Sequence, residues 1–354
     1  MNRLLLVLFL CLGILAGRNL AAQDPTFSQL FASPTTLNPA LTGLFAGRYR
    51  AVISHRSQWA EVMPSPFSTT AFAADFRYSF DPKRRNSDAF GGGLLFMNDR
   101  VASVNLANNQ ILFGGAYHKN LDGRGIEQLS AGFQVGIAQR SLSYGELSFE
   151  DEFDGTSSYI GGSGGEVLPE NSVSYGDYQF GINYSRNPLR ALGVTAGLAI
   201  HHVSQPEQSF YTAEDTGDTL QISNKLFARY SGYLNLRLPL SSSTELLPRM
   251  YVLSQGPHQM AVIGSHIRFA SSSDRTAFHL GALLRVAGDR QGYRASSAIG
   301  FVGLDVGDFL FGFSYDAGVF QGGNAGDRNR GTFELSASYI GMSEDDAAVP
   351  CPKF

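Results

Sequence analysis

This chain holds the residue types that chemistry needs, but not at the spacing that chemistry needs. Seven histidines occur among 354 residues, and none falls in a His-Glu-x-x-His or beside a Gly-x-Ser-x-Gly arrangement. His201 and His202 are neighbours in sequence; on a strand, successive side chains point to opposite faces, so the pair cannot share a metal ion. Ser265 and His266 fail as nucleophile and base for the same reason. The acidic stretch SFEDEFDG, residues 148–155, lacks the Asp-x-Asp-x-Asn/Asp-Gly order of a calcium loop and reads as a solvated loop. SYIGGSGGEVLPEN, residues 158–171, is glycine-rich without a strand-to-helix context, so it reads as a loop tip, not a phosphate cradle. DPKRRNSD, residues 81–88, is a basic turn able to meet a partner or anionic lipid. No catalytic residue, metal ligand or cofactor site is expected. The net charge of −4 gives no footprint for nucleic acid.

What the sequence does carry is period-two alternation. Phe333, Leu335, Ala337 and Tyr339 fall on one face of a strand, and Thr332, Glu334, Ser336 and Ser338 on the other. Leu129 to Ile137 and Phe278 to Val286 alternate in the same way, and Leu234, Leu236 and Leu238 oppose Arg229, Tyr233, Asn235 and Arg237. Fourteen strands are expected, at 48–56, 67–79, 89–97, 107–119, 127–140, 175–186, 192–203, 225–238, 246–255, 259–270, 276–288, 293–304, 308–317 and 331–341. Such lengths exceed an ordinary globular strand and suit a tilted membrane crossing.

The start and the loops supply the setting. Residues 1–22 combine a positive start, an apolar run from Leu4 to Leu15 and a small-residue pair at Ala21-Ala22, which is a secretory signal peptide. Cys11 is preceded by Phe9 and Leu10, not by the small residues a lipoprotein site wants, and Cys351 is the single cysteine of the mature chain, so no internal disulfide forms. Long connections at 57–66, 98–106, 141–174, 204–224 and 318–330 alternate with mostly short ones. That asymmetry predicts an all-β, transmembrane up-and-down barrel of about 14 antiparallel strands over 48–341, with a tail at 342–354 and both termini in the periplasm. Sheet edges cannot be left open in hydrocarbon, so the barrel must close. Arg229, Arg237, Arg285 and Glu334 must then face the lumen or an interface, and arginine should be tolerated at Ser336 but not at Leu335.

The residues between signal and first strand, QDPTFSQLFASPTTLNPALTG at 23–43, match neither a strand nor an amphipathic helix. Pro25, Pro34 and Pro39 fix their own dihedrals and push Ser33 and Asn38 toward extended forms, while Phe27, Leu30, Phe31, Leu37 and Leu41 supply apolar handles. Residues 23–47 are expected to form an irregular plug inside the barrel or a docking arm at its periplasmic mouth.

This opening, followed by HRSQW and PFSTTAFAADF, and by FSYDAG, GTFELSASYIG and a terminal CPKF, resembles the PorP/SprF family of the Bacteroidetes type IX secretion system. The resemblance implies a non-enzymatic outer-membrane barrel that takes part in secretion or surface attachment of cargo with a C-terminal sorting domain, gliding adhesins among them. It implies as partners the outer-membrane lipid, the periplasmic ring, a peptidoglycan-linked lipoprotein and the cargo domain. The family's signature positions here are Pro25, Phe27, Ser28, Gln29, Pro34, Asn38, Pro39, Gly43, Arg56, Gln58 and Trp59, read as structural or interaction residues. From the barrel alone, a passive outer-membrane channel or hydrophobic-solute transporter is the alternative.

Overall fold

Alternating residues of long strands pair edge to edge until no edge is left. The computed structural model describes residues 24–59, 65–81, 87–101, 105–122, 124–144, 170–188, 190–210, 224–271, 276–289, 292–319 and 331–341. The signal peptide, the stretch 148–155, most of 158–171 and 81–88, and the tail lie outside them. Fourteen strands close into one antiparallel barrel, each paired with its neighbours in sequence and β1 with β14. They are β1 (Tyr49–Gln58), β2 (Phe67–Ser79), β3 (Ala89–Val101), β4 (Leu106–Asn120), β5 (Glu127–Leu142), β6 (Ser172–Arg186), β7 (Gly193–His201), β8 (Arg229–Pro239), β9 (Thr244–Gln255), β10 (His258–Ala270), β11 (Thr276–Asp289), β12 (Gly292–Val306), β13 (Phe309–Gly318) and β14 (Thr332–Gly341).

The expected strands are all present, with two shifts. β3 runs on to Val101, so the connection expected at 98–106 shrinks to 102–105. Its polar end is held across the sheet: Thr69 Oγ1 donates to Asp99 Oδ1 at 2.6 Å and Asn98 Nδ2 to Asn109 Oδ1 at 2.7 Å. β8 begins at Arg229, not 225, because Lys225 makes only an isolated bridge to Glu207.

The two faces are chemically opposite. Leu129, Phe133 and Ile137 point outward and exposed, whereas Ser130 and Gln134 are buried inside. Leu335 is 51% exposed on the outer wall while Glu334, its neighbour, is 1% exposed in the lumen. Exposed Tyr49, Tyr78, Tyr117 and Phe309 ring one end, and exposed Tyr230 and Tyr293 mark the other, as the interfacial girdles of a membrane barrel do. No helix among the described residues is long and apolar enough to cross a membrane.

Connections 59–66, 143–171, 202–228 and 319–331 leave one mouth, the long-loop mouth. Connections 80–88, 121–126, 187–192, 240–243, 271–275 and 307–308 leave the other, the short-turn mouth, where β1 begins and β14 ends. Residues 24–48 run between them through the lumen. Asp24 lies at the long-loop mouth, where its N–H donates to Gln255 Oε1 at 3.0 Å; Arg48 N–H donates to Gly341 O at 2.9 Å at the short-turn mouth. The strands do start and finish together, but the segment ahead of β1 reverses through the barrel and carries the first described residue to the far mouth.

Arginine at Leu335 should destabilise the folded barrel by about 2–4 kcal/mol, seen as a smaller folded band in heat-modifiable gel mobility, while phenylalanine there should not. Ser336 is no longer the tolerant control, because its hydroxyl donates to Gln29 Oε1 at 2.7 Å and an arginine would displace that side chain.

Candidate functional site

The lumen is occupied by the chain's own start. A four-residue helical turn, α1 (Pro34–Leu37), has its proline at the first position, where no N–H is needed, and a 3₁₀ turn (Pro39–Leu41) follows it. Leu30, Phe31, Leu37, Leu41 and Leu44 pack on the inward faces of Tyr233, Tyr251, Val262, Leu283, Ile299 and Phe301. Each such side chain contributes about 1.5–3 kcal/mol on burial. Phe31 meets Phe301 edge-on at 4.9 Å and lies under the Arg249 guanidinium at 4.4 Å.

Polar contacts fix the segment at three levels. Near the long-loop mouth, Ser28 and Gln29 donate their backbone N–H groups to the two oxygens of Glu334, at 2.6 and 2.9 Å. Arg56 sits directly across the sheet from Glu334 and donates to it at 2.5 Å. The Gln29 amide donates to Ser314 Oγ and to the Glu334 carbonyl. Ser28 Oγ donates to Asp316 at 2.6 Å and receives bonds from Arg56 and Arg285. A bulge in β12, opposite the step from Arg285 to Val286, adjoins this cluster, as bulges do where a side chain must be re-aimed.

In the middle, Asn38 is fully buried. Its amide donates to Ile182 O at 2.9 Å and Leu198 O at 3.2 Å, and its Oδ1 accepts from Ala40 N–H at 2.8 Å. His201 and Ser231 reach Leu37 O. Near the short-turn mouth, Gly43 N–H donates to Asp75 Oδ2 at 2.7 Å, and Arg50, directly opposite Asp75 on β1, grips the same carboxylate. His118 Nε2 donates to Thr42 O at 2.9 Å. Gly43 has a φ of +75° and lies against Gly91. A Cβ on Gly91, Gly132 or Gly181 would strike Thr42 O, Pro39 O or Asn38 Oδ1, so these three strands leave a trough for the turn.

The signature residues thus separate into groups. Ser28, Gln29 and Arg56 converge on Glu334; Pro34, Asn38 and Pro39 form the central turn; Gly43 belongs to the Asp75 site. Phe27 is buried, and Pro25 faces a cavity at the long-loop mouth. Among the described residues the Gln58 side chain makes one long contact, accepting from Arg56 at 3.5 Å. Trp59 follows Gln58 at the end of β1. It leaves β1 in a left-handed conformation (φ 64°) with its ring edge-on to Phe67 at 4.9 Å.

Arg50, Asp75, Asp316 and Asp24 escaped the sequence reading. Alternation puts the first three on inward faces, but nothing local shows what they hold. The reading of the His201–His202 pair also needs correction. β7 ends at His201, and His202 takes a positive φ of 54°, so both rings lie buried inside, 6.4 Å apart. Among the described residues no group of three or more His, Cys, Asp or Glu could hold a metal ion.

His202 forms a latch at the head of the segment, bonding Asp24 at 2.5 Å and Asp177 at 3.0 Å, with Arg229 3.2 Å from Asp24. Burial opposes charge on both members. The pairing outweighs it: Asp24 and Asp177 raise His202 to about 9, and His202 and Arg229 hold the Asp24 carboxyl well below its usual range.

A closed barrel with an apolar outer wall, filled by its own N-terminal segment, defines a transmembrane outer-membrane-type barrel protein. The chain belongs to the PorP/SprF family: the family described as type IX secretion system membrane protein PorP/SprF matches residues 19–339. It is accordingly an outer-membrane component of type IX secretion. No curated protein matches the chain in sequence. Among solved structures it is similar to a Pseudomonas aeruginosa FadL homologue (10% identity, 87% of this chain and 94% of that one, TM-score 0.49). It is also similar to the CymD monoaromatic hydrocarbon channel (10% identity, 88% and 93%, TM-score 0.48). A third is the translocator domain of the autotransporter NalP from Neisseria meningitidis (15% identity, 88% and 99%, TM-score 0.42). Likenesses of this size say nothing about activity.

Two outcomes follow. Glu334→Gln strips charge from between Arg56 and Arg285 and should destabilise the folded protein by about 3–5 kcal/mol, read as thermal unfolding in detergent. The latch should respond to pH on both sides. A histidine raised above its ordinary 6.5 adds stability below pH 6.5 and loses it as pH rises through about 9; an aspartate held below 3.8 adds stability above pH 3.8 and loses it on acidification. Amide exchange at residues 24–29, corrected for its intrinsic pH dependence, should be slowest between pH 3.8 and 6.5, and His202→Asn should remove the alkaline limb.

Proposed function

We propose that this protein is a closed outer-membrane scaffold of the type IX machinery, which holds a secreted cargo protein at the cell surface and passes no solute through its lumen. One observation carries the reading: residues 27–45 are buried inside the barrel almost without interruption, clamped by carboxylates at both ends. A transporter needs a path, and here residues 27–45 occupy it. On this reading the segment 23–47 is a plug, and Ser28, Gln29, Asn38, Gly43 and Arg56 hold it in place. The long-loop mouth faces the outside and receives the cargo's C-terminal sorting domain. The short-turn mouth faces the periplasm, where the ring and the peptidoglycan-linked lipoprotein contact it. Gliding adhesins are among the cargo this arrangement suits.

In planar bilayers the purified intact protein should be electrically silent, and deletion of residues 24–45 should give large, steady conductance. Steady conductance from the intact chain would restore the channel reading. In cells, a tagged barrel should capture the cargo's C-terminal domain; recovery of ring components alone would move the role to the core machine.

A further inference from the structure

One device recurs in this lumen. A carboxylate on one strand is tied to a partner directly opposite on the next strand, and its oxygens accept backbone N–H groups of the inner segment. Glu334 with Arg56 does this for Ser28 and Gln29, and Asp75 with Arg50 does it for Gly43. A third carboxylate, Asp99, is set up the same way by Thr69, its cross-strand partner, which donates to it at 2.6 Å. No backbone N–H of residues 24–48 reaches it, and it joins no ion pair among the described residues.

The surroundings extend the pattern. Register places Arg56, Thr69, Asp99, Asn108 and Arg140 side by side in one cross-strand row over β1 to β5, all on inward faces. The inner segment occupies the Glu334–Arg56 end of this row. The rest lines a cavity of about 450 Å³ at the long-loop mouth, floored by Asp24, Pro25 and Thr26. Asn108 Oδ1 is buried there without a hydrogen-bond partner. Among the described residues Arg140 bonds the neutral Gln208 amide, lies over the Phe210 ring and has no carboxylate partner. One level nearer the mouth, Phe67, Val101 and Leu106 form a parallel apolar row on the same wall.

We propose that this vestibule is a second peptide-binding groove, taking an extended segment of another polypeptide from the long-loop side. Asp99 and Asn108 Oδ1 accept its backbone N–H groups as Glu334 accepts those of Ser28 and Gln29, and Arg140 donates to its carbonyls. The row from β3 to β5 spans two strand spacings, about 10 Å, which matches roughly three residues of extended chain. The apolar row takes alternate side chains, the division of labour found in strand-type peptide recognition. The scaffold reading above supplies the source of that peptide, a cargo protein; the site itself stands on its own geometry.

The test uses the purified full-length protein against a displayed library of short random peptides and, in parallel, an oligosaccharide array. Peptides should be enriched whose affinity falls by about ten-fold or more in Asp99→Asn and in Arg140→Gln, each removing one charge-assisted bond. Both variants should keep the thermal transition of the parent; should one fail to fold, the other and Asn108→Ala carry the comparison. No enrichment, enrichment indifferent to all these changes, or binding to oligosaccharides alone would overturn the proposal. Peptide binding without cargo display in cells would fault the scaffold reading and leave this site standing.

Discussion

The width of the barrel governs everything inside it. Eight strands enclose a space that side chains can fill, and sixteen or more leave an aqueous channel. Fourteen strands lie between, so inward side chains cannot meet across the axis and the space must hold water or polypeptide. This chain fills it with residues 24–48. That choice demands a wall able to satisfy irregular backbone, because a segment that is neither helix nor strand leaves many of its N–H and C=O groups to find other partners. The inward faces answer with Glu334, Asp75, Gln134, His118 and His201 where an ordinary core would have leucine and valine. The mixture of apolar handles and polar clamps is what lets a lumen serve as a protein interior.

Buried ion pairs are a weak source of stability, since desolvation offsets most of the attraction. Their value here is placement. Arg56–Glu334 and Arg50–Asp75 each join strands already paired, so the pairs add little to closure. What they fix is the height and direction at which the inner segment passes each mouth, because a carboxylate held by an arginine offers its oxygens in one orientation only. The glycine trough of β3, β5 and β6 does the complementary work by shape, admitting the Asn38–Pro39 turn where any side chain would collide.

Much of the fold was legible in the sequence because a membrane wall imposes strict alternation, and alternation survives without any knowledge of partners. Leu335 beside Glu334, or Phe133 beside Gln134, announces which face meets lipid. The reading failed where that rule lapses. At Asn98 to Arg100 both faces of β3 are polar near the long-loop mouth, which looks like loop until cross-strand bonds to Thr69 and Asn109 are seen. At His202 a positive φ turns a side chain inward that alternation would send outward. The candidate site was legible only in part. Ser28, Gln29 and Arg56 stood out as residues of a family pattern, yet the contact that unites them with Glu334 spans 306 positions and leaves no local trace. The path of the segment to the far mouth was equally hidden, since strand parity fixes where β1 begins and says nothing of the chain before it.

That separation of 306 positions has a consequence for biogenesis. The backbone N–H groups of Ser28 and Gln29 find their acceptor on β14, the last strand of the barrel to be made. Contacts of such long range are the slowest to form and reward nothing until the intervening chain is in place. A chain broken off before Glu334 lacks both the closing strand and the carboxylate that seats Ser28 and Gln29. The closing strand is thus also the strand that orders the interior.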